Sequence, residues 1–215
     1  LTDLNPWETW DLGDFEIKDY FDIEALTREH LTRKRKLFTL GGDHSITYPI
    51  VKAYAENYGK LDILQIDAHP DLYQDYEKDP YSHACPFARI MEDGLAQRLV
   101  QVGIRTLNPH QEAQAKRFNV EMYTMPAGLP ELPLQFSNPV YVSLDIDALD
   151  PGYAPGVSHR EAGGLTPREV LTLLQRIEGE VVGADLVEYN PVRDQDGMTS
   201  EVGAKLMKEL LGLLI

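Results

Sequence analysis

LDILQIDAHPD, residues 61–71, begins as a strand and ends in residues that no strand needs. Its first six positions are mostly apolar, and a short run of that kind followed by turn-forming residues reads as a buried strand. Asp67, His69 and Asp71 then follow at spacing two, with Pro70 biasing His69 toward extended backbone. Two other stretches repeat the pattern. VYVSLDIDALDP, residues 140–151, places Asp145 and Asp147 after an apolar run, and LFTLGGDHS, residues 37–45, places His44 after another. Extended chain alternates faces, so Asp67, His69 and Asp71 are expected to point one way, and Asp145 and Asp147 likewise. Gly41 and Gly42 are expected to allow a sharp exit that turns His44 inward.

Outward from these segments, strand-like runs at 37–42, 61–67, 99–105, 120–125, 140–147 and 181–188 alternate with helical patterns. Helices are predicted over 46–59, with Ser45 as N-cap and Gly59 beyond the end, and over 85–92 and 108–118. Two more are predicted over 165–179, with Thr166 as N-cap and Gly179 at the end, and over 198–215. Apolar strands alternating with helices predict an α/β fold, a three-layer sandwich with a central parallel sheet and helices on both faces. The Pro- and Gly-rich pieces at 125–134 and 150–164 read as loops, and residues 1–215 as a single domain. Ligands of such sheets bind beyond the carboxyl ends of the strands, where the unexplained carboxylates and histidines stand.

Composition narrows the function. A net charge of −15 argues against nucleic acid and anionic membrane as partners and suits a cationic small molecule or metal ions, although acidic surfaces mostly confer solubility. No run approaches the roughly eighteen apolar residues of a membrane span. The single cysteine, Cys85, permits neither an internal disulfide nor a thiolate zinc site, and the acidic opening LTDLNPWETWDLGDFE has no secretory leader pattern. A cytoplasmic location is the expectation. The chain starts at Leu1, which reads as a sequence cut at its start.

If the strand ends meet at one rim, four aspartates converge, and like charges a few ångström apart in a half-buried site repel by several kcal/mol. No lysine cluster offsets them, whereas two divalent cations would, with His44 and His69 as neutral ligands. Oxygen-rich donors with imidazole and no thiolate suit manganese or a similar ion. A calcium loop over DIDALDPG fails, because Asp150 and Gly156 stand where that motif needs Gly and Glu.

GGDHS, DAHPD and SLDIDALDP together resemble the three metal motifs of the arginase–agmatinase (ureohydrolase) family in order, internal spacing and position after strands. YSHACPFARIMEDG, YAPGVSHREAGGLT and VVGADLVEYNPVRD look most like plant-type arginases and related bacterial agmatinases. The resemblance runs from about residue 37 to the end; the family's usual N-terminal strand and glycine-rich segment is not found before it. It implies an arginase-like fold and a binuclear manganese hydrolase with two Mn2+ per subunit. One ion would be held by His44, Asp67, Asp71 and Asp145, and the other by Asp67, His69, Asp145 and Asp147. It implies that Glu188 receives the guanidinium of the substrate and that His83, beside Ala84, moves a proton. His159 falls in a substrate-side loop, with structural and binding roles equally open. Asp43 and Asp150 are expected to support ligands and turns.

The expected reaction releases urea and an amine, ornithine from arginine or putrescine from agmatine. Guanidinobutyrate, guanidine and formiminoglutamate are the alternatives, with loops 74–82 and 153–164 deciding, and a metal-binding pseudoenzyme is the non-catalytic reading. A one-metal deacetylase would not need His44, Asp71 and Asp147 together. A homo-oligomer is expected from the family.

Overall fold

The computed structural model describes residues 9–32, 35–125 and 132–215; the loop expected at 125–134 therefore lies largely outside the described residues. Strands β2 (Leu61–Ile66), β5 (Val140–Asp145) and β6 (Val181–Val187) are buried at every position, as strands covered on both faces must be. With β1 (Leu37–Leu40), β3 (Ala96–Ile104) and β4 (Glu121–Thr124) they form one sheet in the order β1-β6-β5-β2-β3-β4, and every pairing is parallel. From β2 the chain proceeds to β3 on one side, and from β5 to β6 on the other. The boundary between β2 and β5 is thus a topological switch point, where the loops leaving the strands diverge and open a crevice.

Two cores flank the sheet. On one face α5 (Pro167–Gln175) and α6 (Met198–Leu214) bury Leu171, Leu174, Leu206 and Leu210 against Leu64, Ile66, Val142 and Leu144. On the other, α2 (Thr47–Tyr58), α3 (Pro86–Glu92) and α4 (Pro109–Phe118) bury Tyr54, Phe87, Ile90 and Ala115 against Leu61, Ile63 and Tyr141. α1 (Asp22–His30) packs on α2 and ties to it through Arg28, which bridges Glu24 and Glu56. Sequence reading did not anticipate α1: its residues are mostly polar, and only Glu24 is buried.

Several local expectations need correction. Thr166 does cap α5, in a reciprocal pair with Glu169, but the helix stops at Gln175, short of Gly179. Ser45 is not a cap; Asp43 accepts the Ser45 N–H and starts a 3-10 turn, His44–Ile46, that leads into α2. Gly41 matters for space: its φ is not in the left-handed region, and a methyl group there would run into Ile46.

Candidate metal centre

The carboxyl ends of β1, β2, β5 and β6 lie side by side, so the segments after them converge. They do so without the extended alternation expected of them. Asp71 has φ +49, and Asp147 lies in a 3-10 turn (Ile146–Ala148) capped by Asp145, whose Oδ1 accepts the Asp147 N–H at 2.7 Å. The residues reach one place because the chain turns, and side-chain hydrogen bonds hold the turns. Gly103 makes the approach possible: at φ +99, a Cβ there would lie 2.8 Å from the carbonyl oxygen of Asp67.

The structure places all six expected ligands in one connected group. His44, with no exposed surface, has Nδ1 at 3.1 Å from Asp67 Oδ2, 3.1 Å from Asp71 Oδ2 and 3.3 Å from Asp145 Oδ2. His69 has Nδ1 at 3.0 Å from Asp147 Oδ2 and 3.6 Å from Asp67 Oδ1. Two donor sets close enough to hold an ion emerge, His44–Asp67–Asp71 and Asp67–His69–Asp147, with Asp67 common to both. His44 Nδ1 is buried and makes a hydrogen bond to none of the three oxygens facing it. A buried nitrogen beside three carboxylates, with no bond of its own, fits a cation placed between them.

Protonation points the same way. Burial lowers the His44 pKa, but Asp145, Asp67 and Asp71 outweigh it and the net shift is well upward. For His69 burial is likewise overcome, by Asp147 and Asp67, and the ring is pushed up to about 12. Burial, then the Asp67 charge, lifts Asp71 to about 6; burial, then Asp147 and Asp67, lifts Asp145 well above the usual carboxylate range. Without ions, protons do the neutralising.

Glu188 follows β6 at φ +66, a backbone conformation that costs a non-glycine residue energy. Its Oε1 accepts the His44 N–H at 2.9 Å, and burial raises its pKa. His83 stands one ring further out: it stacks on His159 at 5.6 Å, and His159 meets the His69 ring edge-on at 6.0 Å. A cleft beside His83 is lined by Tyr20, Asp43, Asp79 and Tyr81. Asp150 accepts the N–H groups of Gly152, Gly163 and Gly164, which closes the 150–164 loop on itself.

Sequence reading missed a layer of supporting residues. Arg105 gives its guanidinium to the carbonyls of Asp147, Ala148, Leu149 and Glu161, stitching the turn after β5 to that loop. Gln65 donates to Asp67 Oδ2 at 2.7 Å and to the His69 carbonyl, and itself accepts from Gln101 at 2.6 Å. Ser143 joins His44 Nε2 at 2.9 Å to Asp185. Register explains their proximity: Thr39, Asp185, Ser143, Gln65 and Gln101 face one another on five adjacent strands. The signal was one polar residue inside each of several apolar strands, where burial is costly without a partner.

The model of the Arginase family matches residues 2–212. The chain belongs to the arginase family. "Arginase 1, mitochondrial" of Arabidopsis thaliana is 53% identical over 180 residues, covering 80% of this chain and 53% of that protein. "Agmatinase, mitochondrial" of Gallus gallus is 41% identical over 82% of this chain and 56% of its own length. The solved arginase from Medicago truncatula superposes with a TM-score of 0.81 at 50% identity, over 83% of this chain and 60% of that one. The chain thus spans about half the length of the curated family members it matches. The family's names also overturn the cytoplasmic expectation: its plant relatives are called mitochondrial, or chloroplastic/mitochondrial. A lone buried thiol is compatible with any compartment that demands no disulfide, so Cys85 never selected the cytoplasm.

Proposed function

We propose that the centre takes two divalent cations, manganese by the chemistry of its donors, and that the protein hydrolyses the guanidino group of arginine to urea and ornithine. His44 and Asp71 would serve one ion, His69 and Asp147 the other, and Asp67 and Asp145 both. The observation that carries this reading is the buried, unbonded His44 Nδ1 facing Asp67, Asp71 and Asp145. Arginine is favoured by 53% identity to a plant arginase; agmatine is the second reading, favoured by 41% identity to an agmatinase.

Bound there, the ions would offset the carboxylates and supply a water acidic enough to be deprotonated near neutral pH. The chain's own residues do the rest. Glu188, half turned to His44, offers its remaining carboxylate capacity to the planar N–H groups of the guanidinium, a charge-assisted pairing. That contact would hold the guanidino carbon over the centre. His83, stacked on His159, would pass a proton to the departing amine. Loops 74–82 and 153–164 would distinguish arginine from smaller guanidino compounds.

The deciding experiment is urea release from arginine, agmatine, guanidinobutyrate and guanidine, with the protein loaded with Mn2+ or stripped by chelator. Arginine should give the highest kcat/KM, only with metal. Agmatine as the better substrate would replace the first reading with the second, and no urea from any of the four would remove both.

A further inference from the structure

Asp185 has no part in the chemistry proposed above, yet it is a carboxylate with no exposed surface in the middle of the sheet. Such a group persists only with full hydrogen bonding. It has that: Ser143 Oγ donates to Oδ1 at 2.7 Å, and Thr47 Oγ1 and Tyr141 OH donate to Oδ2 at 2.8 and 2.9 Å. Two of these donors lead to His44. Thr47 begins α2 directly after the 3-10 turn that carries His44, so the carboxylate grips that turn. Ser143 touches the ring itself, at Nε2.

The hydroxyl of Ser143 has one hydrogen. With that hydrogen committed to Asp185, the Ser143 oxygen can only accept, so the His44 nitrogen facing it must carry a hydrogen. A neutral His44 then has its lone pair on Nδ1, the atom aimed at Asp67, Asp71 and Asp145. Phe87 packs edge-on against the ring, at 5.2 Å and 87°. The opposite tautomer would carry a hydrogen on Nδ1, satisfy the carboxylates directly and compete with any cation.

We propose that Asp185, acting through Ser143, is a positioning residue that holds His44 in the orientation and tautomer needed to capture a metal ion at Nδ1. The proposal rests on the two-cation reading above. The partners behind metal-bound histidines typically change affinity by roughly 10–100-fold when removed, which sets the expected size.

The test uses the full chain and three variants, Ser143→Ala, Ser143→Thr and Asp185→Asn, titrated with Mn2+ in competition with a chelating dye. In Asp185→Asn the amide can donate to Ser143, which turns the serine hydrogen toward His44 Nε2 and reverses the polarity of the relay. The parent should bind two ions. Ser143→Ala and Asp185→Asn should weaken one of the two steps by roughly 10–100-fold and spare the other. Ser143→Thr, which restores a hydroxyl, should stay near the parent. Nitrogen NMR of the Zn2+-loaded proteins should report an Nε2–H on His44, protected from exchange in the parent and Ser143→Thr and unprotected in Ser143→Ala. Should Asp185→Asn not fold, the alanine and threonine variants decide alone. Parent-like affinity at both steps in Ser143→Ala, with the His44 signal unchanged, would overturn the relay and leave the two-cation reading standing. A parent that binds fewer than two ions would overturn that reading, and the relay with it.

Discussion

The amino and carboxyl rims of the sheet treat charge in opposite ways. At the amino rim Asp62 accepts the N–H groups of Ser137 and Asn138 and the Asn138 amide, and Arg98 forks onto Glu121 while donating to the carbonyls of Gln135 and Pro133. Asp62, Arg98 and Glu121 are each answered there by fixed protein groups. At the carboxyl rim Asp67, Asp71, Asp145 and Asp147 share two imidazoles, and one of those leaves Nδ1 unbonded. The first arrangement is complete in itself and contributes stability. The second is deficient in positive charge by design of its sequence, and the deficit is what a cation would meet.

Substitutions should separate the rims by what they disturb. Asp145→Ala should have the largest effect, lowering urea release on the order of 10³-fold, the scale at which removing one group that stabilises transition-state charge acts. It should also release metal, measured by elemental analysis; two tightly held ions in that variant would contradict the bridging role. His83→Ala should retain metal and lose roughly 10²-fold in kcat, within the usual contribution of a positioned acid or base. Glu188→Gln should keep both ions and lose about 10–100-fold in kcat/KM, since a charged hydrogen bond becomes a neutral one. A Glu188→Gln variant as fast as the parent would remove that residue from substrate binding.

Arg98→Ala, at the other rim, should cost roughly 1–3 kcal/mol in denaturant unfolding and leave urea release per folded molecule unchanged. The smallest effect is on pH. In metal-free protein the folded pKa values of His44 and His69 stand above the unfolded value, so their contribution is complete below about 6.5 and is lost as pH rises toward the folded values. Asp71, raised from 3.8 to about 6, has the same sign but is mostly spent below pH 6, and Asp145, raised well above its ordinary value, has the same sign too. The melting temperature of chelated protein should therefore fall from pH 6 to 9. Added Mn2+ should raise it more at pH 9 than at pH 6, because ions then displace fewer protons. Equal gains at both pH values would show that protons and metal do not share these groups.

The architecture was legible because β2, β5 and β6 are apolar enough to be buried on both faces, and because strand and helix patterns alternate without interruption. The convergence of His44, Asp67, His69, Asp71, Asp145 and Asp147 was legible from charge that apolar strands do not need. The route was not: period-two alternation was the wrong geometry, since Asp71 reaches the centre at positive φ and Asp147 through a 3-10 turn capped by Asp145. Gln65, Gln101, Ser143 and Asp185 were visible as single polar interruptions. Their meaning requires the strand order, because β5 meets β2 across a long stretch of sequence and brings Ser143 beside Gln65 only in the folded sheet. Arg105 was read simply as a strand end, and nothing local announces that its partners are backbone carbonyls.

Those carbonyls bear on how such a protein could change its diet over evolutionary time. Arg105 grips Glu161 by its main-chain oxygen and leaves the Glu161 side chain uncommitted to the grip. Loop 153–164 is thereby anchored by an element common to all amino acids, so replacement of Glu161 alters what the loop presents without removing that anchor. On the proposed reading, in which this loop selects the substrate, preference can drift at Glu161 while the metal-side turn, held by the same arginine, stays where it is.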